Sequence, residues 1–363
     1  MATLSNPYPL KLTTPIRRYN FGERLIPNIL QKRGLPEGVI AETWEFSDEK
    51  SGPATIVNGA LAGKPLRHLV EHAPEWLVGE GWSGPHYPLL GKFLDASHPL
   101  PVHLHANDEI ARAHLGESNG KTEAWHILWC EHDETTSVLA GIKPGMTIED
   151  VRQAALDRDY DRVMNRRKIA PGDTVYVPGG TMHTFGPGTL VFEIQQTSDV
   201  ASDVMPVDNM NVVHDEGTWH ERIETTLSQL IFEPQPMPNH GLARFDGHNR
   251  RTVCTAGPYF VMERWKITTP LKLDLPAGRG ATVTNLVNPV GISWNGGAEL
   301  IARAESRVLP AALGQVTLVP DGIAYVLICY VPDLWNDVVL PLRAEGYSDD
   351  DIRSLGDLSN VLR

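Results

Sequence analysis

Apolar and polar positions alternate over many short stretches of this chain and follow a helical period over only a few. Residues 39–46, 89–95, 102–105, 123–130, 174–177 and 189–194 show two-residue alternation or short apolar runs, the pattern of β-strands. Further strands are expected over 259–267, 316–318 and 324–330. Helical spacing is confined to residues 22–33, 65–77, 147–167 and 218–232. In the second of these Leu66, Leu69, Val70 and Leu77 share a face, and Pro65 opens the first turn. Thr147 and Asp150 form a capping-box pair that starts a helix of about ten residues. A second helical piece continues to about Arg167, so 143–167 reads as a small helical insertion between strands. Residues 107–115 are ambiguous, with helical propensity from Asp108 to Ala113. Ser348 and the three aspartates after it cap a short terminal helix.

The chain contains one internal echo. Gly172 is followed, after five residues, by Pro178-Gly179-Gly180-Thr181-Met182-His183; Gly314 is followed, after five residues, by Pro320-Asp321-Gly322-Ile323-Ala324-Tyr325. The repeat suggests two related β units, of which only the first kept its histidine. A Pro-rich, weakly apolar stretch at 234–240 divides them. The expected fold is mostly β: two jelly-roll barrels with the helical insertion. A metal-bearing domain spans 1–240, a second, metal-free one 241–345, and a terminal helix 346–363.

Composition narrows the classes. The chain has 363 residues, 41% hydrophobic, with 32 Gly and 28 Pro, which suits a turn-rich β protein. Its net charge of −13 and lack of a basic patch argue against nucleic acid as a partner. The three cysteines, Cys130, Cys254 and Cys329, show no ligand spacing and are expected to be ordinary reduced thiols. No stretch approaches the length of a membrane span, and residues 1–7 show no charged segment leading into an apolar run. A cytoplasmic protein is expected, monomeric or homodimeric, acting on a small molecule.

The chemistry is concentrated in the first unit. On a strand, His103 and His105 of Pro101-Val102-His103-Leu104-His105 would project to one face, forming half of a metal site. His183, just past a Pro-x-Gly turn, could complete it at the mouth of a barrel. With one carboxylate, three imidazoles suit zinc, and also iron, manganese, cobalt or nickel. Two carboxylates compete. Glu109 would give the His-x-His-x3-Glu pattern of germin-type sites, but lies in a helix or loop. Glu123 opens an apolar strand that can lie beside the histidines, and is preferred.

Several motifs then resemble the type I mannose-6-phosphate isomerases, members of the cupin superfamily. These are Tyr87-Pro88-Leu89-Leu90-Gly91-Lys92, Pro99 through Asp108, Gly120-Lys121-Thr122-Glu123-Ala124-Trp125, Pro171 through His183, and Glu193-Ile194-Gln195-Gln196 with Ser198-Asp199. Glu42-Thr43-Trp44 echoes an earlier motif. The resemblance is specific over 87–199 and weak in the second unit. It implies two cupin barrels and one divalent ion, zinc first, on His103, His105, Glu123 and His183. His103 replaces the family's Gln. The implied chemistry is aldose–ketose isomerisation through a cis-enediol, with Glu193 as the acid–base carboxylate and Lys121 as the matching cation. Lys92, Trp44, Gln195 and Asp203 are the expected sugar contacts. Two departures bear on the substrate: Asp203 stands where the family has an Arg, and Pro101 where it has a phosphate-contacting Ser. They point to an unphosphorylated sugar. A cupin dioxygenase holding iron and a non-catalytic sugar-binding protein are the alternative readings.

Overall fold

The computed structural model describes residues 4, 6–132, 135–275 and 278–362. Part of the N-terminal stretch considered for a targeting signal lies outside them. The strands are β1 (Ile16–Arg17), β2 (Glu42–Phe46), β3 (Leu89–Ala96), β4 (His103–Leu104), β5 (Glu123–Cys130), β6 (Ser137–Ile142), β7 (Met164–Lys168), β8 (Thr174–Val177), β9 (His183–Thr184), β10 (Thr189–Gln196), β11 (Ser202–Asp203) and β12 (Pro238–Asn239). They continue with β13 (Leu242–Asp246), β14 (Asn249–Ala256), β15 (Val261–Ile267), β16 (Leu271–Asp274), β17 (Ala281–Asn285), β18 (Val290–Trp294), β19 (Gly297–Ile301), β20 (Ser306–Leu309), β21 (Gln315–Pro320) and β22 (Ala324–Tyr330).

These strands build two jelly-roll barrels, each from two antiparallel sheets. The first has sheets ordered β1-β2-β3-β10-β5-β8-β12 and β11-β4-β9-β6-β7; the second has β13-β14-β15-β22-β17-β20 and β16-β21-β18-β19. Raising each label of β2-β3-β10-β5-β8 and β4-β9-β6-β7 by twelve reproduces the second barrel's order strand for strand. The duplication is therefore real, but the sequence echo does not mark it. His183 opens β9, whose counterpart is β21, whereas Tyr325 lies in β22, the counterpart of β10. The echo matched two generic turn-and-strand segments one strand out of step.

The helical expectations hold in part. The helix Ile148–Asp157 carries the expected capping box between Thr147 and Asp150, and Arg158 in the left-handed region ends it. The expected second helix does not form. After a single 3-10 turn, Met164–Lys168 forms β7 along β6, with Ser137 opposite Lys168 and Ile142 opposite Met164. Four of these five residues are polar or charged, so no apolar alternation announced the strand. Within 22–33 only Leu25–Asn28 is helical. Residues 65–77 form Leu66–His72 and Pro74–Leu77, broken at Ala73 because the residue before a proline is driven out of the helical region. Glu216–Leu227 starts on an Asp215 cap, and the terminal Asp349–Arg353 has its Ser348 capping box. Two further helical turns, Leu334–Val339 and Leu340–Ala344, were not anticipated. The three cysteines are buried. Among the described residues no helix is long and apolar enough to cross a membrane.

Candidate metal centre and active site

Both sheets of the first barrel contribute to one interior cavity of about 140 Å³. β4 and β9 run antiparallel with His103 directly opposite His183. Across the barrel, β10 lies between β3 and β5, with Glu193 opposite both Lys92 and Trp125. β4 is only two residues long, so strand alternation does not itself aim His105. Its backbone is held instead by Gly180, whose N–H donates to the His105 carbonyl at 2.6 Å.

The three imidazoles converge, their ligating nitrogens all within 4.8 Å of one another. Each ring is fixed by a backbone carbonyl at Nδ1: Pro101 for His103, Val200 for His105 and Thr181 for His183, each at 2.8 Å. A carbonyl oxygen only accepts, so each Nδ1 carries the hydrogen and each Nε2 is the atom turned inward, a lone-pair donor whenever the ring is neutral. Burial, then the neighbouring His183 and His105, hold His103 well below its ordinary range. Burial and the Lys121 charge push His105 down to about 3. Both rings are thus neutral.

The result is a crowd of acceptors. The Nε2 atoms of His103 and His183 face each other at 3.1 Å. Glu123 Oε2 lies 3.3 Å from His105 Nε2, and Oε1 lies 3.2 Å from His183 Nε2. His105 Nε2 and Glu123 Oε2 are buried without a hydrogen-bond partner. Lone pairs so arranged repel one another unless a cation lies between them, and a three-nitrogen, one-oxygen set at this spacing fits a divalent ion such as zinc. Trp125 Nε1 donates to Glu123 Oε1 at 2.9 Å and fixes the carboxylate. Glu109 is exposed on a short helix, so the germin-type arrangement is absent.

Beside this cluster runs a buried chain of alternating charge. Lys121 Nζ lies 3.1 Å from Glu123 and 3.5 Å from Glu193, and Lys92 Nζ lies 3.2 Å from Glu193 and 3.0 Å from Glu42. Burial, then the Glu123 charge, pushes the Glu193 carboxyl up against the pull of Lys92 and Lys121. Burial alone would lower Lys92, but Glu193 and Glu42 outweigh it and hold the ammonium well above its ordinary value.

Of the expected sugar contacts, Lys92 and Asp203 line the cavity; Trp44 and Gln195 do not. Trp44 is fully buried and its indole donates to Glu42 Oε2 at 2.8 Å, so it positions a carboxylate rather than stacking on a ligand. Gln195 turns its amide to the Ser198 carbonyl at 2.5 Å. Sequence reasoning missed Glu42, Asp199, Tyr19 and Asn209 in the lining. Glu42 was within reach, since Glu-x-Trp recurs at Glu123-Ala124-Trp125 with the same indole-to-carboxylate bond.

A jelly-roll barrel with three interior histidines able to hold a metal ion has the architecture of a cupin. No protein-family model matches the chain. Among curated proteins it is 31% identical over 285 residues to a probable mannose-6-phosphate isomerase of Bacillus subtilis, GmuF, covering 78% of this chain and 88% of the relative. It is 30% identical over 243 residues to the mannose-6-phosphate isomerase of Streptococcus mutans, covering 67% and 74%. Among solved structures, the mannose 6-phosphate isomerase of Bacillus subtilis superimposes with a TM-score of 0.77 at 22% identity, over 89% of this chain and 99% of that one. A mannose 6-phosphate isomerase bound with zinc and yttrium shares the fold at a TM-score of 0.66 and 14% identity, over 89% and 99%. The chain belongs to the mannose-6-phosphate isomerase family.

Proposed function

We propose that Glu193 and Lys121 carry the proton chemistry of this metal-dependent aldose–ketose isomerase, and that His103, His105, Glu123 and His183 hold its divalent ion. The observation that carries the reading is the shared cavity: the inward-facing lone pairs and the Glu193 carboxylate line the same small space. A divalent ion, when bound, supplies an electrophile for a sugar's carbonyl and neighbouring hydroxyl oxygens.

Glu193 takes the proton from C2 of the aldose, leaving a cis-enediolate that becomes the cis-enediol when O1 is protonated, and returns the proton to C1 to give the ketose. The hydroxyl proton moves from O2 to O1, so the sugar is isomerised with no atom gained or lost. Burial and Glu123 raise the affinity of Glu193 for protons, which suits a carboxylate that accepts and then returns one. Lys121, between Glu123 and Glu193, places an ammonium group beside the developing negative charge on the sugar oxygens. Lys92 and Glu42 hold Glu193 from the other side.

The test is Glu193→Gln, assayed for interconversion of mannose with fructose and of their 6-phosphates, with bound metal measured in parallel. Turnover should fall by about 10²–10⁴-fold with metal content unchanged. Full activity in Glu193→Gln would refute the assignment of the base, and unchanged metal content in His105→Ala and Glu123→Ala would refute the ligand set.

A further inference from the structure

We infer that the site takes an unphosphorylated sugar and that Asp203 is the residue that turns phosphorylated ones away; this rests on the isomerase reading of the same cavity. The inference comes from the charge of the cavity. Five carboxylates line it, those of Glu42, Glu123, Glu193, Asp199 and Asp203, against the two ammonium groups of Lys92 and Lys121. Counted fully ionised, the lining carries three formal negative charges in excess, one of which, that of Asp203, is paired with Arg222 outside the lining. Each lysine already contacts two of these carboxylates. Among the described residues no arginine lines the cavity.

A phosphoryl group brings roughly 1.5 to 2 negative charges at neutral pH and is ordinarily met by guanidinium, ammonium, hydroxyl or free backbone N–H groups. This cavity offers little of that. Pro101, in the lining, has neither hydroxyl nor N–H. Arg222, on the helix Glu216–Leu227, has its guanidinium bound to Asp203 Oδ2. Asp203 sits in β11 directly opposite His103. Its other oxygen accepts from the Met205 N–H at 3.0 Å, which fixes the carboxylate. Asp203 therefore does two things at once. It presents an anion to the cavity beside a ligand position, and it holds the Arg222 guanidinium, a group that could otherwise meet a phosphate.

The same carboxylates suit a neutral sugar. A hydroxyl donates a hydrogen bond to an ionised carboxylate readily, and Asp199 and Asp203 are placed to accept.

The experiment measures calorimetric binding of mannose, mannose 6-phosphate and inorganic phosphate to the metal-loaded protein, alongside kcat/KM for mannose and mannose 6-phosphate. The wild type should bind mannose at least tenfold more tightly than its 6-phosphate and bind phosphate no better. Asp203→Asn should narrow that ratio by about tenfold by releasing Arg222, and Asp203→Asn with Arg222→Gln should lose the gain. Tighter binding of the 6-phosphate by the wild type, no binding of either sugar, or a ratio unmoved by Asp203→Asn would each overturn the inference. Binding without turnover of either sugar would sink the isomerase reading while leaving the preference measured.

Discussion

Lys92 is buried between two carboxylates, and its removal leaves Glu42 without its ammonium partner and Glu193 with Lys121 alone. In Lys92→Met, Glu42 and Glu193 stay inside the barrel with no cation between them. Stripping one partner from a buried ion pair costs about 3–5 kcal/mol, so urea denaturation should show a loss of that order. The activity should change in a second, separable way. Lys92 pulls the Glu193 proton affinity down against burial and Glu123. Without it the carboxyl rises further, and the acid limb of the kcat/KM profile should move to higher pH. The sign is set by the role: the base works deprotonated, so activity appears only above its pKa. A variant that is less stable but keeps the wild-type acid limb would show that Lys92 is structural and does not tune the base. Trp44 makes the contrasting case. It was expected as a sugar contact, but sequence does not say whether an indole faces a cavity or a neighbouring glutamate.

The loop before β5 and the loop before β9 both wrap the short segment after β4. Lys121 N–H donates to the Ala106 carbonyl at 3.0 Å, and Gly179 N–H donates to Thr122 Oγ1 at 3.2 Å. A Cβ on Gly120 would stand 2.4 Å from the Ala106 carbonyl oxygen, and one on Gly179 2.7 Å from Asn107 Cα. These contacts are with backbone, which cannot swing aside as a flexible side-chain end can. Gly120→Ala and Gly179→Ala should therefore push apart the strand ends bearing His105, Glu123 and His183. Metal affinity should drop by about 10–100-fold, the scale seen when the groups that orient ligands are lost, while far-ultraviolet circular dichroism stays that of the wild type. Wild-type metal affinity in both variants would mean that the loops yield without moving the ligands. This packing explains why the metal-ligand motifs were legible as words: their glycines are set by close approach of one backbone to another. β7 and the strand equivalences were not legible for the opposite reason. A polar edge strand is specified by its partner, and two barrels with the same strand order need share no residue pattern once their interiors differ. On β15 and β22, the counterparts of the strands that carry Lys92 and Glu193, Trp265 Nε1 donates to Glu263 at 2.8 Å and the Tyr330 hydroxyl to Glu263 at 2.6 Å, a buried polar network joined by Arg251.

Where the two barrels meet, the faces of β5 and β15 that point away from the barrel interiors supply a titrating pair. Strand alternation that turns Glu123 and Trp125 inward turns His126 outward, and likewise sets Arg264 opposite in sense to Glu263 and Trp265. His126 Nδ1 lies 2.9 Å from Thr174 Oγ1, and Arg264 Nη1 lies 3.4 Å from its Nε2. The ring is 1% exposed. Burial, then the Arg264 charge, pushes His126 down to about 3. In the unfolded chain it titrates near 6.5. Between these values the unfolded state binds the proton and the folded state does not, so stability is full above about pH 6.5 and is lost as the pH falls toward 3. At 1.36 kcal/mol per pH unit, this group alone removes roughly 3 kcal/mol between pH 6.5 and 4.5. Carboxylates and the metal ligands also respond to acid, so the informative quantity is the difference between the wild type and His126→Gln. Gln can still bond Thr174 but does not titrate. Urea denaturation at pH 7.5, 6.5, 5.5 and 4.5 should show the wild type falling about 3 kcal/mol further than the variant over the lower two units, with the two parallel above 6.5. Parallel decline across the whole range would mean that the His126–Arg264 contact opens to water before the barrels unfold, and that the seam does not hold its histidine neutral.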